Sequence, residues 1–117
     1  MTRLILLNYG ENLTVRIKNS YNTMLLNKQE VDWRIGELGG WKIEEGKLKK
    51  IFKFKDFISA IEFVNAVAGL AEKENHHPDI LITYNKVRIT LWTHDVGGLS
   101  EKDFNLASKI EKGLIDL

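Results

Sequence analysis

Three histidines, His76, His77 and His94, are the only ones in the chain, and all fall in the stretch NHHPDILITYNKVRITLWTHD from Asn75 to Asp95. The only proline, Pro78, follows the adjacent pair. Imidazole, with an ordinary pKa of ~6.5, can both give and take a proton near neutral pH. One positioned acid or base of this kind contributes ~10²–10⁴-fold to a rate. A lone histidine at a strand end is an ordinary surface group, so the case rests on whether the three converge. Three histidines could instead hold zinc. Adjacent residues of an extended segment point to opposite sides, however, which sets His76 and His77 against sharing one ion. Gly97-Gly98 resembles a phosphate loop only superficially, because no lysine follows at the required spacing.

Convergence depends on the residues between the histidines. Ile80-Leu81-Ile82-Thr83-Tyr84 and Val87-Arg88-Ile89-Thr90-Leu91-Trp92 are β-branched and aromatic, the signature of two strands. Asn85-Lys86 between them predicts a two-residue turn, since asparagine tolerates positive φ. Tyr84 then faces Val87, Ile82 faces Ile89 and Ile80 faces Leu91, so apolar meets apolar along one face. Extended past the strand ends, this register sets His77 opposite His94 and His76 opposite Asp95. By parity His94 shares the wet face with Arg88, Thr90 and Trp92, which leaves the cluster open to solvent.

The remaining elements must hold that hairpin. Leu4–Leu7 and Leu13–Ile17, around Gly10-Glu11-Asn12, read as two short strands or an arm within an N-terminal extension, residues 1–23. Met24 to Leu38 predicts a helix with Leu25, Val31, Ile35 and Leu38 buried and Gly39-Gly40 as its stop. A first hairpin follows, from Trp41 through a Glu45-Gly46 turn to Phe54, with phenylalanines alternating with lysines as on a sheet with one wet face. Asp56 can cap a long helix to Glu74. Phe57, Ile61, Val64 and Ala68 form one apolar stripe of it, and Ile58, Phe63, Val67 and Leu70 carry apolar character well round the cylinder. In a domain this small, the second side predicts contact with another subunit. The last helix opens on Ser100-x-x-Asp103 capping, with Leu99 and Phe104 as a hydrophobic staple, and buries Phe104, Ala107, Ile110 and Leu114. The expected fold is α+β, a four-stranded antiparallel sheet with three helices on one face in the order α-ββ-α-ββ-α.

A chain of 117 residues suits one domain, large enough for a core yet small enough to gain from oligomerisation. Hydrophobic residues at 44% and charged residues at 28% are those of a globular protein. A net charge of +1 gives no electrostatic case for nucleic acid or an anionic membrane. Without cysteine, disulfides, thiolate chemistry and thiolate zinc sites are excluded. No apolar run approaches the ~18–20 residues of a membrane span, and Leu4–Leu7 is short for a signal peptide. The expected location is cytoplasmic.

The segment AEKENHHPDILITYNKVRITLWTHDVGGLSEKDFNLASKI closely resembles the pterin-4a-carbinolamine dehydratase family, densely over Glu72–Ile110 and more loosely back through Gly40-Trp41 and Phe52–Phe57. The resemblance assigns residues 24–117 to the dehydratase domain and leaves 1–23 without a counterpart. It implies dehydration of 4a-hydroxytetrahydrobiopterin to quinonoid dihydropterin in pterin recycling, with no cofactor and no metal. His76, His77 and His94 are then catalytic, the first and last carrying most of the acid–base work. Trp41, Glu72, Asn75, Pro78, Trp92, Thr93 and Asp95 are then substrate-binding, with Glu72 one helical turn before His76 where it could orient that ring. Trp92 departs from the small hydroxyl residue common at its position in the family. The implied partners are a small-molecule pterin and further copies of the chain, in a dimer or tetramer through helix 56–74. The alternative is a non-enzymatic binding module of the same fold, since some relatives act as dimerisation cofactors of a homeodomain transcription factor. The intact histidines favour the enzyme.

Overall fold

The computed structural model describes residues 23–114 in full and the backbone of residues 3–9 and 12–18. Gly10 and Glu11, the expected turn of the extension, and the residues after Leu114 lie outside the described residues. The extension forms β1 (Arg3–Tyr9) and β2 (Asn12–Lys18), an antiparallel pair that makes its own two-stranded sheet. Then come α1 (Lys28–Ile35), β3 (Lys42–Glu44), β4 (Lys47–Lys53), α2 (Phe57–Glu74), β5 (Asp79–Thr83), β6 (Lys86–Leu91), a 3₁₀ turn at His94–Val96 and α3 (Glu101–Leu114). The main sheet is antiparallel in the order β3-β4-β6-β5, as the α-ββ-α-ββ-α pattern predicts. Among the described residues no helix is long and apolar enough to cross a membrane.

Period-2 patterning decides which face of the sheet is covered. Leu48 pairs with Leu91 and Phe52 with Val87 across β4 and β6, and Ile89 pairs with Ile80 across β6 and β5. Leu48, Phe52, Val87, Ile89 and Leu91 are buried on this row beneath α2 and α3. The neighbouring parity carries Ile51, Leu81 and Arg88, all exposed. At the β3–β4 turn Glu45 and Gly46 both take positive φ, the twist a two-residue hairpin needs.

The β5–β6 turn falls on Tyr84-Asn85 rather than Asn85-Lys86. Ile82 pairs with Val87 and Ile80 with Ile89, a shift of two residues from the expected register. Asn85 explains the shift, because its carbonyl accepts from the Phe54 N–H at 2.8 Å and its side-chain amide donates to the Phe54 carbonyl at 2.8 Å. Tyr84 then takes the positive φ of 52°. A shift by two preserves strand parity, so the apolar row stays on the core face as expected, but Thr90, expected on the wet face, is buried.

Two helix readings are also corrected. Helix α1 begins at Lys28, not Met24, because Asn27 and Glu30 form a capping box. Leu26 instead lies before the helix and donates its N–H to the Leu99 carbonyl at 2.8 Å. In α2, capped by Asp56 as expected, the buried stripe is Ala60, Phe63, Val67 and Ala71, not Phe57, Ile61, Val64 and Ala68. Phe63 fixes that rotation, since its ring packs against Phe52 and Phe54 of the sheet side at 4.7 and 5.0 Å. Phe57 and Ile58 are left 47% and 64% exposed.

Candidate active site

The C-terminus of α2 delivers the histidine pair. Asn75 ends the helix in the left-handed region, φ 50° and ψ 42°, a conformation asparagine tolerates better than most residues. Its N–H donates to the Glu72 carbonyl at 3.3 Å and that of His76 to the Ala71 carbonyl at 3.1 Å. These two bonds are the Schellman termination, and they fix the backbone at His76. Lys109 of α3 pairs with Glu74 just before this point and ties the helix end down.

Beyond β6, Thr93 and Gly98 exchange backbone hydrogen bonds of 2.8 and 3.4 Å around the 3₁₀ turn. Gly97 takes φ 67° to close it. The clasp presents His94 and Asp95 toward the end of α2. Asn75, His76, His77, Thr93, His94, Asp95 and Lys102 line one cavity of about 240 Å³. This lies below the ~300–1,000 Å³ of drug-sized sites and suits a small ring system. A second concavity of about 250 Å³ is lined by Gly40, Lys42, Glu44, Lys49, Lys50, Ile51 and Arg88. It offers no side chain with an ordinary pKa near neutrality, so the histidine cavity is the better seat for proton chemistry.

Beneath the cavity is a residue that the sequence reading assigned only to capping. Asp103 is fully buried. One carboxylate oxygen accepts from His76 Nε2 at 2.5 Å. The other accepts from the Thr93 hydroxyl at 2.9 Å and from the Ser100 N–H at 2.9 Å. Thr93 Oγ1 and Ser100 Oγ lie 2.6 Å apart. A carboxylate only accepts, so Nε2 of His76 carries the proton and Nδ1 is the nitrogen left to take one up. One aspartate therefore starts α3, anchors Thr93 and sets the tautomer of His76.

The other sequence candidates divide. Glu72 pairs with Nε2 of His77, not with His76, at an exposed position. Trp41 is buried in the core, edge-on to Phe52 at 5.9 Å, with its indole N–H donated to Glu111 at 2.8 Å. It lies outside the cavity lining, as does half-buried Pro78. Trp92 also lies outside the lining and stacks on the His94 ring at 4.1 Å. Lys102 lines the cavity without having been marked in the sequence; its place one residue before Asp103 on a capped helix was the available signal.

Residues 24–113 match the model of the family described as pterin 4 alpha carbinolamine dehydratase. Proteins of Sulfolobus acidocaldarius and Nostoc punctiforme, each named "Putative pterin-4-alpha-carbinolamine dehydratase", are 48% identical over 89 residues and 53% identical over 90 residues. The alignments cover 76% and 77% of this chain and 98% and 97% of those proteins. A crystal structure from Brucella melitensis, described as a transcriptional coactivator/pterin dehydratase, superposes with a TM-score of 0.72 at 36% identity. It covers 74% of this chain and 95% of that one.

Proposed function

Since the chain belongs to the pterin 4 alpha carbinolamine dehydratase family, we propose that it is a hydro-lyase that dehydrates 4a-hydroxytetrahydrobiopterin in cytoplasmic pterin recycling. The observation that carries the reading is the one cavity shared by His76, His77 and His94 with Asn75, Thr93 and Asp95.

In the reaction the C4a–O bond breaks and the departing hydroxyl takes a proton to leave as water. The ring nitrogen beside C4a gives up its proton, and its electron pair forms the C=N bond of the quinonoid product. His76 is the base for the ring proton. Its Nε2–H is already committed to Asp103, so the proton goes to Nδ1, and the buried carboxylate offsets the charge the ring acquires. His94, on the opposite element of the cavity, serves the departing hydroxyl. His77, held by Glu72, helps to seat the substrate beside Asn75 and Asp95. Thr93, whose hydroxyl is engaged by Asp103, supports the floor. The step eliminates water with no net change of oxidation state and needs no cofactor.

The exposed side of α2 carries Phe57 and Ile58, with Ile61 and Val64 half-buried beside them. This apolar surface supports assembly as a dimer or tetramer through α2. The functional test is direct. Carbinolamine generated in the same mixing step should disappear faster with the protein than without it; no acceleration at micromolar protein would overturn the reading.

A further inference from the structure

Trp92 has no place in the cavity lining, yet its indole is held by two neighbours. The His94 imidazole stacks on it with ring centroids 4.1 Å apart and planes 28° from parallel. The Lys47 ammonium lies over the indole, also 4.1 Å from its centroid. Both groups are thus in contact with the indole ring. The placement follows from the sheet. Leu48 pairs with Leu91, so Lys47 and Trp92 are the next residues along β4 and the chain leaving β6, and half-buried Trp92 also packs against the edge of the core.

We propose that Trp92 is a positioning residue for His94, fixing the plane of the imidazole so that its nitrogens meet the cavity in one orientation. Lys47 fixes the indole in turn. His94 needs this support. It is exposed, at the first residue of a single 3₁₀ turn, and among the described residues no carboxylate is held against it as Asp103 is against His76. An aromatic stack supplies a face and a plane where a hydrogen bond would supply a direction. The Lys47 cation adds to the hold, since ammonium is drawn to the negative face of an indole. The inference rests on the reading that His94 moves a proton, but the stack itself can be tested without turnover.

Two readouts decide it. Imidazole C–H protons lying against an indole face are shielded, so the His94 ring signals should sit upfield in the wild type. They should move downfield in Trp92→Leu and move little in Trp92→Phe; assignment uses His94→Gln. In the dehydratase assay Trp92→Leu should lose about 3- to 10-fold in kcat, the range a stack of this strength corresponds to, with KM within about twofold. Trp92→Phe should recover most of the loss, and Lys47→Met should fall between. Unchanged His94 signals in folded Trp92→Leu would overturn the stack. A Trp92→Leu variant with normal kcat, or with raised KM alone, would overturn the positioning role, the second result making Trp92 a substrate contact. Should the wild type prove inactive on carbinolamine, the functional reading fails, and the ring signals alone then decide whether Trp92 orients His94.

Discussion

Asp103 accepts three hydrogen bonds with no exposure to water, and its removal separates stability from catalysis. In Asp103→Ala the Thr93 hydroxyl keeps its Ser100 partner, but His76 Nε2–H and the Ser100 N–H lose theirs. Each unsatisfied buried donor costs ~1–3 kcal/mol, so two of them should cost about 2–6 kcal/mol, or roughly 8–24 °C in Tm for a domain of this size. Asp103→Asn keeps the shape, but its NH₂ must replace one acceptor. Facing Ser100 it would oppose an N–H that cannot change. Facing His76 it meets a ring that can move its proton from Nε2 to Nδ1, so this arrangement is the cheaper. Asp103→Asn should then cost only about 1–2 kcal/mol. It should nevertheless lose at least ~10²-fold in kcat, because the nitrogen that takes the substrate proton is already protonated. Thermal melting by circular dichroism and stopped-flow dehydration read the two effects separately. An Asn variant with wild-type kcat would refute the tautomer argument, and an Ala variant with wild-type Tm would refute the buried network.

Other consequences are read more simply. Asp56 caps α2, and the bond from the Ser59 N–H, 2.8 Å, holds its carboxyl below the ordinary value of 3.8. A depressed carboxylate stabilises the fold above its unfolded pKa and loses that contribution as the pH falls through the folded one. Asp56→Ala should thus lower Tm at pH 7, and the gap from wild type should close at the lowest pH at which both still fold. Ile58→Glu, at a position 64% exposed on α2, should leave Tm within about 2–4 °C of a matched monomeric reference. It should also shift sedimentation toward the 13.5 kDa single chain; an unchanged assembly would move the interface elsewhere.

The faces of the second hairpin were legible because alternation survives a register shift of two. The turn was not, since Asn85 is tied to Phe54, 31 residues away. For α2 the sequence is apolar on more sides than one, and only the rings of Phe52 and Phe54 decide that Phe63 turns inward. The start of α1 was written in Asn27-x-x-Glu30, a capping box the hydrophobic pattern around Leu25 obscured. Convergence of the histidines was readable from the hairpin, although its means differ. They meet through the Schellman end of α2 and the Thr93–Gly98 clasp rather than as facing pairs of extended strands. Asp103 was hidden by its own clear signal: Ser100-x-x-Asp103 explained it fully as a cap, and its reach to His76, 27 residues away, exists only in the fold. Trp41 lost its apparent link to the cavity for the same reason, because Glu111, 70 residues on, holds its indole in the core.

The central claim is that His76 and His94 divide the proton transfers of one dehydration. It is tested most directly by stopped-flow dehydration of freshly formed carbinolamine by the wild type, His76→Ala, His94→Ala and the double variant. Each single variant should remain folded and lose about 10²-fold or more in kcat. The double variant should lose no less than the worse of the two. Full activity in the double variant would contradict the account.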